Sequence, residues 1–94
     1  MASDLAFDWD EANIGHIRGH GVAPDEVVQV FANEASDLRY EVLNNEERWT
    51  SIGHTHTLRI LVVVWTMREE SVRTVTAFDA GKRLATDYVT QKGW

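Results

Sequence analysis

The groups in this 94-residue chain that can carry chemistry are four histidines, seven arginines and an excess of carboxylates. His16 and His20 stand four residues apart, so on a helix both reach one point, while His54 and His56 share one face of a strand end. Each pair is half of a metal site, and zinc takes three or four protein ligands. There is no cysteine, and His16-Ile17-Arg18-Gly19-His20 lacks the glutamate of an H-E-x-x-H helix. The pairs therefore read more simply as helix-capping, pocket or surface histidines, and neither a metal nor another cofactor is expected. Gly15, Gly19, Gly21 and Gly53 match neither a dinucleotide fingerprint nor a phosphate loop, and Ser51 and Ser71 lie in no nucleophile elbow.

Arginines beside histidines and carboxylates on neighbouring strands remain. Metal-free cleavage of RNA needs such a set: a base for the 2′-hydroxyl, cations for the pentacoordinate phosphorane, and an acid for the leaving 5′-oxygen. Strand alternation puts Arg48, Thr50, Ile52 and His54 on one face and Glu47 on the other. Arg68 and Arg73 flank a turn at residues 69–71, where they either converge on a ligand or pair with Glu69 and Glu70 at the rim. Spacing does not separate these readings.

The charge is uneven. Residues 1–47 hold two basic groups against eleven acidic ones, whereas residues 48–94 hold seven basic against four acidic. The net of −6 argues against a general nucleic-acid binder. Any anionic partner must meet the second half, where Arg48, Arg59, Arg68, Arg73, Lys82 and Arg83 lie. Arginine suits bidentate contacts to phosphate better than lysine does.

These groups need a scaffold, and the composition (44% hydrophobic, 26% charged) is that of one globular domain over residues 1–94. The longest apolar run, Ile60 to Trp65, is far short of the roughly 20 residues of a membrane helix. Met1-Ala2-Ser3-Asp4 carries no basic or apolar export signal, so the expected location is cytoplasmic. Leu5 to Trp9 alternates as a short strand, and Asp10 caps a helix running to about His20 that Gly21 stops. Pro24, Asp25 and Glu26 open a second helix that turns Val27, Val30 and Phe31 inward. Four strands follow: Leu38–Leu43, a turn at Asn44-Asn45, Glu47–His54, the doubly apolar Leu58–Thr66, and Val72–Phe78. Ala80 to Lys92 closes as a helix with Leu84, Tyr88 and Val89 toward the sheet. The order β-α-α-β-β-β-β-α predicts an α+β domain: an antiparallel four-stranded sheet plus a short N-terminal strand, packed by two N-terminal helices and one C-terminal helix. Helical spacing from Leu84 also suits Tyr88 to the core with its hydroxyl at the rim, and Trp9 and Trp65 read as core.

In sequence order the motifs resemble one family. Phe7-Asp8-Trp9-Asp10-Glu11-Ala12-Asn13, then His20-Gly21-Val22 and the Asp25-Glu26-Val27 helix, is similar to the opening of the BrnT toxins. Glu47-Arg48-Trp49 with Ile52-Gly53, the apolar strand ending Thr66-Met67-Arg68, Thr76-Ala77-Phe78-Asp79-Ala80, and Tyr88 resemble its later motifs. The resemblance spans Phe7 to Tyr88 and implies a RelE-like fold, a metal-independent endoribonuclease acting on RNA, and a small DNA-binding, BrnA-like antitoxin as partner. On it, Arg48, Arg68 and Arg73 clamp phosphate, with His54 or Glu47 as acid or base. His20 acts from its helix end, and Lys82, Arg83 and Tyr88 contact substrate. The chain departs from the family pattern at Asn13-Ile14, Phe78 and Leu84-Ala85, where lysine, arginine and an E-R pair are usual. Those departures keep a second reading open, a catalytically weakened binding module that acts by occupying its partner. Exposed sheet edges suit a homodimer or a toxin–antitoxin hetero-oligomer.

Overall fold

The computed structural model describes residues 5–94; the export reading at Met1-Ala2-Ser3-Asp4 lies outside them. The elements are β1 (Ala6–Phe7), α1 (Glu11–Arg18), α2 (Pro24–Ala32), β2 (Ser36–Leu43), β3 (Glu46–His54), β4 (Ile60–Arg68), β5 (Ser71–Asp79) and α3 (Lys82–Lys92). Their order is the predicted one. Asp10 caps α1 through a reciprocal pair: its carboxylate accepts from the Asn13 amide at 2.9 Å, and its own amide donates to the Asn13 side chain at 2.8 Å. Helix α1 ends before His20 because the chain tightens there. The Gly21 amide bonds the Arg18 carbonyl at 2.8 Å and Val22 reaches Ile17 at 3.0 Å, with Gly21 at φ +73°. This is a Schellman close, which requires the left-handed residue that glycine adopts freely.

The sheet order is β1-β5-β4-β3-β2. The sheet has five strands and is mixed: β2 to β5 are antiparallel, but β1 runs parallel to β5, pairing Ala6 with Ser71 and Phe7 with Val72. The purely antiparallel expectation is corrected at that pair, since alternation along a strand carries no information about its direction. Two-residue turns at Asn44-Asn45 and Glu69-Glu70, all four at positive φ, join the long hairpins. Such mirror-image turns match the natural strand twist. Asparagine tolerates that conformation better than glutamate, and Ser71, expected in the turn, belongs to β5. Leu58, expected at a strand start, is an exposed loop residue at φ +67°.

One face of the sheet carries the main core. Ile17 of α1 and Val27 and Val30 of α2 are fully buried against Leu61, Val63 and Ala77. Gly53 lets α2 approach, because a Cβ there would lie 2.7 Å from the Val30 side chain. An aromatic ladder crosses this face from Phe7 through Phe31, Trp65 and Trp49 to Tyr40, with ring centroids 4.7–5.5 Å apart. Trp9 and Trp65 pack against this core.

The opposite face is covered only in part. Tyr88 of α3 buries against Ile52 and Val62, with Phe78 alongside. Leu84, expected to face the sheet, is 41% exposed. Arg59 fastens the helical layer: it donates to the Gly21 carbonyl (2.8 Å), to Glu26 (2.9 Å) and to both carboxylate oxygens of Asp79 (2.7 and 2.9 Å). That bonding holds the Asp79 carboxyl below its ordinary range.

Candidate active site

What α3 leaves open on the second face is a cleft of about 330 Å³ between α1 and the sheet, lined by Asn13, His16, Glu46, Arg48, Thr66 and Arg73 among others. Its floor follows from strand register. Trp49 pairs with Trp65, so one residue further on Arg48 stands opposite Thr66, which in turn pairs with Arg73. Glu41 pairs with Arg48 on the outer side. Four strands thus line up Glu41, Arg48, Thr66 and Arg73 across one face. With strands about 4.8 Å apart, Arg48 and Arg73 bracket Thr66 at roughly 10 Å from each other.

Carboxylates hold both guanidinium groups in place. Arg48 Nε donates to Glu46 at 3.1 Å. Arg73 donates to Asp10 at 2.7 Å and lies 3.6 Å from Asp8. The Asp10 carboxyl is lowered, first by the Asn13 amide it caps and then by Arg73, and Arg73 is raised in turn by that same bond. The cap of α1 and the position of Arg73 are therefore one structure. Asn13, where the family pattern has lysine, is 6% exposed and also donates to the Asp8 carbonyl at 3.1 Å. It serves the cap.

Arg68 lies two residues beyond Thr66, exposed at the same end of β4 and paired in register with Ser71. Alternation puts it on the face of Arg48 and Arg73. The other sequence candidates divide. Glu47 faces the opposite side, where it accepts a 2.6 Å hydrogen bond from the Tyr40 hydroxyl. His54 shares the face of Arg48 but stands six residues along β3, about 20 Å away at strand rise. There its Nδ1 is 2.7 Å from the Tyr88 hydroxyl and its ring packs edge-on to Trp94 at 4.8 Å. Burial, then the charges of Lys92 and His56, lower its pKa, and burial raises that of Tyr88. Lys82 and Arg83 begin α3 near that far end, both exposed.

His20 packs 6.1 Å from the Phe78 ring and 5.4 Å from His16. His16, one of the histidines expected at a cap, a pocket or the surface, is the one that lines the cleft. Glu46, passed over for Glu47, is the carboxylate beside Arg48. Helical spacing from Asn13 and strand alternation from Arg48 are the signals in the sequence that could have found them. Among the described residues no three histidines or carboxylates converge as a metal site.

The geometry is that of a small α+β domain that presents arginines on an open sheet face with an imidazole from α1 beside them, an arrangement suited to a phosphodiester. Residues 9–83 match the family model described as ribonuclease toxin, BrnT, of type II toxin–antitoxin system. The chain belongs to that family. The matched span contains every residue named as lining the cleft and stops short of Tyr88. A search of curated proteins gives no match.

Proposed function

We propose that this chain is a RelE-like, metal-independent endoribonuclease toxin, one domain over residues 1–94, that cleaves RNA in the cytoplasm to arrest growth. A small DNA-binding antitoxin of the BrnA kind neutralises it. The observation that carries this reading is the row Arg48–Thr66–Arg73 facing His16 across one cleft. Arg48 and Arg73 straddle the scissile phosphate, and Arg68 extends the clamp. An imidazole takes the 2′-hydroxyl proton, the 2′-oxygen attacks phosphorus, and the arginines stabilise the charge of the phosphorane. The P–O5′ bond then breaks as a proton reaches the 5′-oxygen, leaving a 2′,3′-cyclic phosphate. His16 is the proton-transfer group at the cleft and His20, 5.4 Å from it, is the second imidazole. Lys82 and Arg83, exposed at the start of α3, would meet further nucleotides, while the Tyr88 hydroxyl, buried and bonded to His54, supports that end of the face rather than contacting substrate. Neither Glu47 nor His54 takes the acid or base role, because one faces away and the other bonds Tyr88. The family and the absence of any helix long and apolar enough to cross a membrane among the described residues support the setting.

A second reading is favoured by Phe78, which sits in an apolar cluster where the family pattern has arginine, and by the exposed Leu84. On it the chain binds its partner without cleaving. Labelled RNA incubated with the purified chain in EDTA separates the two. Cleavage that survives chelation, falls by about 10²–10⁴ in His16→Ala and persists in His54→Ala supports the toxin reading. A folded chain that leaves RNA intact establishes the binding module instead.

A further inference from the structure

The two lateral edges of the sheet are unlike. Beyond β5 lies only the two-residue β1, with α1 packed alongside, whereas β2 is an eight-residue edge strand with no neighbour outside it among the described residues. It is also unusually apolar for an edge. Leu38 is 46% exposed, Tyr40 53%, Val42 56% and Leu43 42%. Soluble proteins protect such edges with charge, proline or a bulge, and an unprotected apolar one is a template for another strand. Here a bulge does interrupt the pairing of β2 with β3 between Asp37 and Arg39. Leu38 is the residue this bulge leaves without a β3 partner, and regular pairing runs from Arg39 to Leu43.

Taken with Leu38, the outer edge of β2 reads Leu38-Arg39-Tyr40-Glu41-Val42, which is complementary to itself when reversed. Antiparallel pairing about Tyr40 sets Arg39 of one copy against Glu41 of the other, twice. It sets Leu38 against Val42, twice, and brings the two Tyr40 side chains together on the symmetry axis. Shifting the centre to Glu41 would oppose two glutamates, which is unfavourable. The faces agree as well. Arg39 and Glu41 pair with Thr50 and Arg48 and so lie on the cleft side, where they already bond each other at 3.1 Å. Tyr40 lies on the other side, at the open end of the aromatic ladder, 5.4 Å from Trp49.

We propose that β2 is the contact surface of a symmetric homodimer, joined antiparallel about Tyr40 into one continuous ten-stranded sheet. The two-fold axis stands perpendicular to the sheet, so both arginine clefts open on the same side. Main-chain bonds and apolar contact supply the affinity, and the Arg39–Glu41 pairs select the register. A contact of one strand per copy belongs to the small, transient class below about 1,200 Å², so the dimeric fraction rises with concentration.

Sedimentation velocity over a concentration series tests this on the full chain, with circular dichroism confirming that each variant folds. Wild type is expected to show a monomer–dimer equilibrium. Arg39→Glu and Glu41→Arg each place like charges together twice and weaken it about tenfold or more. Arg39→Glu combined with Glu41→Arg restores complementarity and dimerisation. Tyr40→Lys, which brings two ammonium groups to the axis, abolishes the dimer without touching a core residue. A wild type that stays monomeric throughout, a dimer indifferent to the single charge variants, or a double variant that fails to recover would each overturn the proposal.

Discussion

Replacing Arg48 by alanine isolates the function of the cleft from the stability of the fold. The Arg48–Glu46 pair is one-third to two-fifths exposed, with side-chain exposures of 33% and 41%. An ion pair of that exposure contributes about 0–1 kcal/mol, so the melting temperature falls by no more than about 4–8 °C. Loss of a donor aimed at developing phosphoryl charge removes far more, about 2.7–4 kcal/mol or 10²–10³ in rate. The open cleft puts the expected loss near the lower bound, roughly 10². Arg48→Lys keeps the charge without the two-pronged donor and should recover only part of it. Arg73 is a poorer probe, since removing it also releases Asp10 and Asp8 and loosens the cap of α1. The assay is single-turnover cleavage of an end-labelled RNA in EDTA, read beside thermal unfolding of the same preparation. A folded Arg48→Ala chain that cleaves at the wild-type rate would refute the assignment of the cleft.

Three further outcomes concern the scaffold. Gly53→Ala forces a Cβ to within 2.7 Å of Val30 and 3.2 Å of Ala35, and should destabilise by about 1–3 kcal/mol in chemical denaturation. Thr74 is 2% exposed, and its hydroxyl has no hydrogen-bond partner among the described residues. Thr74→Val should therefore raise the melting temperature, by roughly 1 kcal/mol of added stability. The pKa of His54 is lowered from 6.5 in the folded chain, so the unfolded chain binds the extra proton more readily. Its contribution to stability is complete above pH 6.5 and declines as pH falls from there through the folded value. His54→Gln should flatten the slope of unfolding free energy against pH in that window, while the loss at lower pH that stems from Asp10 and Asp79 remains.

Local physical chemistry in the sequence determined the number, order and kind of elements. Asp10 and Pro24 announce helix starts, Gly21 a helix end and Asn44-Asn45 a turn through interactions that span only a few residues. The same is true of the faces: alternation along β3 separates Arg48 from Glu47 without reference to any other strand. The family, too, was legible in short motifs such as Phe7–Asn13 and Glu47–Trp49.

Tertiary structure alone decided which residues meet. The parallel direction of β1 depends on how the chain returns after two helices, and the outward turn of Leu84 on how far α3 reaches over the sheet. Arg48, Thr66 and Arg73 are neighbours only because two hairpins pair in one particular register, and a slip of one residue would turn each arginine to the other face. His16 enters the cleft because α1 packs alongside β5, whereas the roughly 20 Å to His54 is already fixed by six residues of strand rise. Strand length sets the distance between residues on one strand, while their partners across the sheet are set by contacts between segments far apart in the chain.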